Sequence, residues 1–113
     1  LPTPAPLPDG ITRLSLREGA LEVLGFASGR AGSDRDRYAF YVKAHGPLRP
    51  LRVAFHGPDG SVERVLDPGA SLRGPSALMG AEWFIIPVVG PPRARVTGLE
   101  IGPMGQRMAL ASE

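Results

Sequence analysis

The sequence predicts an all-β protein: an antiparallel, Greek-key-like β-sandwich of about eight short strands with little helix. Three observations carry this expectation. Apolar and polar residues alternate over short runs, as in Leu51, Val53 and Phe55 against Arg52, Ala54 and His56, and successive side chains of a strand point to opposite faces. Turn chemistry separates such runs at spacings of roughly 8 to 12 residues, the pattern of a sandwich or small barrel. Glycine and proline number 15 and 13 among the 113 residues, and no stretch of about ten residues joins a helical apolar period to good helix formers.

The length allows one domain with a real core. Residues 1–10 open with LPTPAPLP, a polyproline-prone spacer, and residues 11–113 form the domain. Ile11–Arg17 is the first expected strand, with Leu14 and Leu16 inward; Ala20–Ala27 is the second, with Leu21 and Val23 inward. Arg17-Glu18-Gly19 between them is turn-like, because glycine reaches positive φ without steric cost. SGRAGSDRDR at 28–37 is a loop whose Asp34 and Asp36 alternate with arginines. A calcium loop needs a longer run of oxygen ligands, so a solvated, self-paired loop is expected.

Tyr38–Leu66 carries the clearest periodicity and is expected to form a three-stranded meander. Phe40 and Val42 share one face of its first strand, with Tyr41 and Lys43 on the other. The HGPLRP segment ends pairing, since each proline fixes φ and removes a donor. Gly57-Pro58-Asp59-Gly60 is the strongest hairpin turn in the chain, with proline pre-setting φ and glycine free to take positive φ. In Ser61–Leu66 the inward set is Val62 and Leu66, and Arg64 interrupts it, which places this strand near a sheet edge.

Residues 67–81 form a long irregular connection, a length that suits a crossover between sheets. Glu82–Val89 is the most apolar run, with Trp83, Ile85 and Val89 on one face and Phe84, Ile86 and Val88 on the other. Pro87 cannot donate to a ladder, so this strand belongs at an edge or carries a bulge. Arg93–Ile101 is expected to be a strand with a bulge near Gly98, and Gln106–Ala111 the last strand. The architecture expected from this series is immunoglobulin-like or fibronectin-like, by analogy of strand number and spacing alone.

Composition narrows function. The chain has no cysteine, which removes disulfide frameworks, cysteine zinc sites and thiol catalysis. Of its 13 basic residues 12 are arginine, against 11 acids, for a net charge of +2. No run approaches the roughly 18 apolar residues of a membrane span. The start at Leu1 and the proline-rich opening fit a processed chain or a fragment. The expected location is extracytoplasmic, periplasmic or cell surface, in a secreted or lipid-anchored protein, and any membrane link is an upstream anchor outside this chain.

No serine sits in a Gly-x-Ser-x-Gly elbow and no glycine-rich phosphate loop precedes a helix, so no catalytic residue and no cofactor is expected. The leading expectation is a non-enzymatic module for protein binding or structural spacing. Its partner is another protein or a second copy of the chain, met through an exposed strand, with Trp83, Phe84, Ile86 and Val88 as the binding residues. Copper binding is the alternative, because histidine and thioether form a soft ligand set; the candidate ligands are His45, His56, Met79, Met104 and Met108. Geometry weighs against a shared site for the histidines: in a hairpin folded near Leu48 they lie roughly 15 Å apart at strand rise. A nucleic-acid module is a second alternative, not favoured, because aromatics are 6% of the chain and no arginine cluster interleaves with them.

Overall fold

A computed structural model describes residues 9–70, 83–102 and 106–110, with the backbone alone for 70 and 106–108. Among the described residues, alternation of apolar residues builds eight strands: β1 Thr12–Glu18, β2 Leu21–Arg30, β3 Asp36–Ala44, β4 Leu51–Gly57, β5 Gly60–Leu66, β6 Trp83–Gly90, β7 Gly98–Ile101 and β8 Gln106–Ala109. They form two four-stranded sheets, in the orders β1-β2-β3-β6 and β5-β4-β7-β8, and every pair is antiparallel. The fold is the β-sandwich expected from the sequence.

The inward residues of each strand meet between the sheets. Leu14, Leu16, Val23, Phe40, Val42, Val53, Phe55 and Leu66 are all buried, as the alternation requires. Phe26, Tyr38 and Phe40 of the first sheet gather around Phe55 of the second, with Phe55 4.6 Å from Tyr38 and 6.3 Å from Phe40 between ring centroids. The Tyr38 hydroxyl crosses this apolar region to donate to the Pro91 carbonyl at 2.5 Å. A buried hydroxyl needs such a partner, because desolvation without one is costly.

The β4–β5 hairpin closes as the Gly-Pro-Asp-Gly signal predicts: Gly57 opposes Gly60, and Gly60 has φ of 117°. The three-stranded meander over Tyr38–Leu66 is overturned. β3 pairs with β2 and β6, whereas β4 pairs with β5 and β7. Alternation fixes which face of a strand is apolar but not which strand lies beside it. Both sides of β3 are already paired, so the His45–Pro50 segment carries the chain across the core to the opposite sheet. There the apolar faces of β3 and β4 oppose each other rather than lying in one plane.

The strand expected over Arg93–Ile101 is half replaced. Arg93–Arg95 is a single 3-10 turn and β7 starts only at Gly98. Pro91 and Pro92 have no amide donors to continue a ladder, and the chain tightens instead, with Arg95 and Val96 N–H donating to Pro92 and Arg93 carbonyls. Arg93, a charged residue at the start of that expected strand, is buried at 5% exposure. Its guanidinium carbon lies 5.8 Å from the Phe26 ring centroid, Nη1 donates to the Val96 carbonyl at 3.1 Å, and its backbone N–H donates to Asp36 Oδ2.

Candidate interaction face and the two histidines

Pro87 lies where an edge is expected: among the described residues, β6 ends the first sheet and pairs with β3 alone. Within it Ile86 and Val88 are buried, Phe84 is half-buried against the core, and Val89 is 42% exposed. Trp83 belongs to the opposite parity and faces outward with Ile85, Pro87 and Val89. The register sets these beside Lys43, Tyr41, Ala39 and Arg37 of β3 in turn. Tyr41 stands opposite Gly25 of β2, so the outward side of this sheet has an apolar centre. Tyr41 and Trp83 meet edge to face at 5.2 Å and 64°, and Tyr41 is only 8% exposed although it faces away from the core. Gly25 allows this layer to form. A Cβ there would meet the Thr12 carbonyl oxygen at 2.6 Å, so only glycine lets β1 approach across the bulge between Val23 and Gly25.

Among the described residues, the side of β6 away from β3 carries two features that oppose strand addition. Arg64 Nε of β5 donates to the Val89 carbonyl at 3.0 Å, which marks Val89 and its alternates Pro87, Ile85 and Trp83 as the residues whose backbone groups point away from β3. Pro87 then presents no donor along that edge, and Arg64 occupies one acceptor. A proline and a charged side chain are both usual defences of sheet edges. Arg64 interrupts the inward set of β5 for this reason: at the edge of its own sheet it reaches across to the other.

The second sheet has an outward polar line of its own. Arg52 Nη1 donates to Glu63 Oε1 at 2.6 Å and Nη2 to Glu100 Oε2 at 2.9 Å. Glu100 Oε1 lies 3.1 Å from His56 Nε2, and His56 Nδ1 lies 2.6 Å from Ser61 Oγ. A carboxylate only accepts, so Nε2 is the donor, and in the neutral ring Nδ1 accepts the Ser61 hydroxyl proton. These residues come from β5, β4 and β7, which oppose one another in register. Cross-strand pairs of this kind each contribute about 0.2–1 kcal/mol, and together they lock the ring in one orientation. Ser61, His56 and Glu100 thus stand in hydroxyl–imidazole–carboxylate order. Three clefts lined by the described residues are about 200, 340 and 350 Å³, and His56 and Ser61 line the first of them.

The hydrogen bond from His56, and after it that from Arg52, hold the Glu100 carboxyl below its ordinary value of 4.5. A depressed carboxylate stabilises the fold above the unfolded-state pKa and loses that contribution as pH falls through the folded value. The stability advantage of the native protein over Glu100→Gln is therefore expected to be full above about pH 4.5 and to shrink below it. Urea midpoints of the two proteins between pH 7 and pH 3 check this; a constant gap would contradict it.

Of the residues expected as copper ligands, the structure does not bring the histidines together. His45 follows β3 and pairs through Nε2 with Glu22 Oε1 at 2.7 Å, on the first sheet, while His56 lies on the second. Met108 is in β8 opposite Leu99, described by its backbone. Met79 and Met104 lie outside the described residues. Among the described residues, no three histidine or acidic side chains gather as a metal-holding group. Sequence reasoning passed over Tyr41, Arg52, Glu63 and Glu100. Arg52 shares the outward parity of His56, which was a visible signal, but the carboxylates join it only through registers of distant strands. In comparisons with family models, curated proteins and solved structures, nothing matches this chain.

Proposed function

We propose that this chain is a non-enzymatic recognition module that binds another protein with the outward face of β3 and β6. The observation that carries this is the side-chain set of β6: it is apolar on both faces, and its outward members Ile85, Pro87 and Val89 continue an apolar layer centred on Tyr41 and Trp83. Apolar patches with polar rims mark interaction sites on soluble domains, and aromatic residues are enriched in them. Pro87 and Arg64 disfavour strand addition at the edge, so the partner lies on the face of the sheet. The interleaving of β3 beside β6 and β4 beside β7 supports an immunoglobulin-like or fibronectin-like type. Such modules also serve as spacers, and fold alone does not decide between the uses. The proline-rich opening supports a module set off from an anchor or a neighbouring domain outside the cytoplasm.

A photoreactive benzophenone side chain at Val89, in the protein mixed with extract of its own source cells, is expected to give a discrete protein adduct on irradiation. The same side chain at Val65, exposed on the other sheet, is expected to give none. Equal labelling from both positions, or none from either, would overturn the proposal.

A further inference from the structure

We propose that Ser61 is a nucleophile that takes up a short acyl group from a neutral activated ester, a modification site on the second sheet independent of the partner face on β3 and β6. Its parts meet by register. Ser61 stands on β5 directly opposite His56 of β4. Glu100 of β7 stands opposite Ala54, two residues along β4 from His56, so all three side chains share the outward face. Ser61 Oγ lies 2.6 Å from His56 Nδ1, and Glu100 Oε1 lies 3.1 Å from Nε2. Of the described serines 15, 28, 33 and 61, only Ser61 has a hydrogen bond to a histidine.

The order of groups decides what the hydroxyl does. With Glu100 holding the Nε2 proton, the Nδ1 lone pair faces Oγ and accepts its proton. The carboxylate then stabilises the imidazolium that forms and keeps it in place. The ring nitrogens are exchanged relative to the usual serine–histidine–acid arrangement, in which Nε2 meets the hydroxyl, but each role is filled. Glu100 is itself held, because Arg52 Nη2 donates to its Oε2 at 2.9 Å and leaves Oε1 for the ring. Ser61 is exposed, as a residue that meets a solute must be.

The neighbouring cleft sets the donor. Ser61 and His56 line a space of about 200 Å³ together with Val62, Pro91 and Arg95, a volume that suits a short acyl group. Asp34 and Asp59 also line it, against Arg95, so an anionic donor is disfavoured and a neutral one is not. Arg95 supplies positive charge for the oxyanion. In the reaction the Oγ–H proton passes to Nδ1 as Oγ bonds to the acyl carbon. The bond from that carbon to the leaving oxygen then breaks, and Nδ1–H returns the proton to the departing alcohol. The product is a serine ester formed once per chain, which needs no turnover.

The test incubates the purified protein with p-nitrophenyl acetate and locates the acetyl group by peptide mass spectrometry. One acetyl at Ser61 is expected, ahead of Ser15, Ser28 and Ser33. His56→Gln is expected to slow acetylation of Ser61 by about a hundredfold, the usual worth of a positioned base. Glu100→Gln is expected to slow it by about as much, because the new amide N–H turns the ring to the other tautomer. A merely structural line of hydrogen bonds would leave that rate unchanged. Acetylation of Lys43, on the other sheet, is the internal reference and is expected to stay constant in all three proteins. A fluorophosphonate applied to the native protein requires no substitution, and a phosphorus–oxygen bond at Ser61, with loss of fluoride, is expected there too. Acetyl spread evenly over the four serines, an unmodified Ser61, or a rate untouched by His56→Gln would overturn the proposal and leave the partner face as it stands. Release of p-nitrophenol far beyond one equivalent, dependent on Ser61, would support the nucleophile and contradict the non-enzymatic reading.

Discussion

Phe55→Ala is expected to lower the unfolding free energy by about 3–5 kcal/mol, the range for removing a buried phenylalanine. Phe55 lies on β4 at 1% exposure and is the second sheet's member of the aromatic cluster. Phe26, Tyr38 and Phe40 reach it from the first sheet, so the deletion empties space that both layers line. The alternating strands hold those layers from either side, and the surrounding rings have little freedom to collapse inward. Domains of this size have about 5–15 kcal/mol in all, so the variant sits near the edge of folding at ambient temperature. Urea unfolding followed by the fluorescence of Trp83 measures the change. Phe55→Leu fills most of the space and is expected to cost less. A loss below about 1 kcal/mol for the alanine variant would mean that the two sheets do not meet through Phe55, contrary to the usual cost of such cavities.

Gly57→Ala is the second large effect, expected to cost about 2–3 kcal/mol, near the top of the usual range for overpacking. The reason is steric and lies in the backbone. A Cβ on Gly57 would fall well inside van der Waals contact of the Arg95 carbonyl oxygen. That oxygen cannot swing aside as a side chain would. Its segment is pinned on both sides: Val96 N–H donates to the Arg93 carbonyl and Thr97 N–H to the His56 carbonyl at 2.8 Å, and the Arg93 side chain is buried. Gly29→Ala is the control, since a Cβ there meets nothing within 4 Å. Thermal denaturation of the pair should show a clear fall for the first and almost none for the second. Equal behaviour would show that the 3-10 turn does not lie against the β4–β5 hairpin.

The strands were legible because burial on one side leaves a period of two in the sequence. Leu14 and Leu16, and Val53 and Phe55, lie inward as the alternation requires, whereas Ile86 and Val88, expected among the partner-binding residues, are buried in the core, because a strand apolar on both faces gives no sign of which face is covered. Pro87 was legible for a different reason: a residue without an amide donor has few places in a sheet, and the edge is one. What the pattern lacks is the identity of the neighbour. Phe40 and Phe55 have the same alternation around them whether β3 and β4 lie side by side or face each other, and the meander drawn through both was wrong on that account. Arg93 reads as a surface cation, and the prolines before it, which end the ladder and turn its side chain over Phe26, are the local sign that it is not one. The polar line on the second sheet stayed hidden longest. Arg52 and Glu100 are 48 positions apart, and only the β4–β7 register places one beside the other. The two histidines show the same limit in reverse. They share a ligand chemistry in the sequence, and the fold sends them to different sheets.

The central claim is that one face of β6 belongs to the core and the other to a partner. Because the chain has no cysteine, single cysteines at 85, 86, 88 and 89 can be alkylated without background. In the purified protein, Ile85→Cys and Val89→Cys are expected to react fast and Ile86→Cys and Val88→Cys slowly, as alternate strand residues must. On adding source-cell extract at low salt, the two fast positions should become protected while a cysteine at Val65 does not. Alternating rates with no protection would leave the sandwich intact and contradict the partner face; equal rates along the strand would contradict the placement of β6 itself.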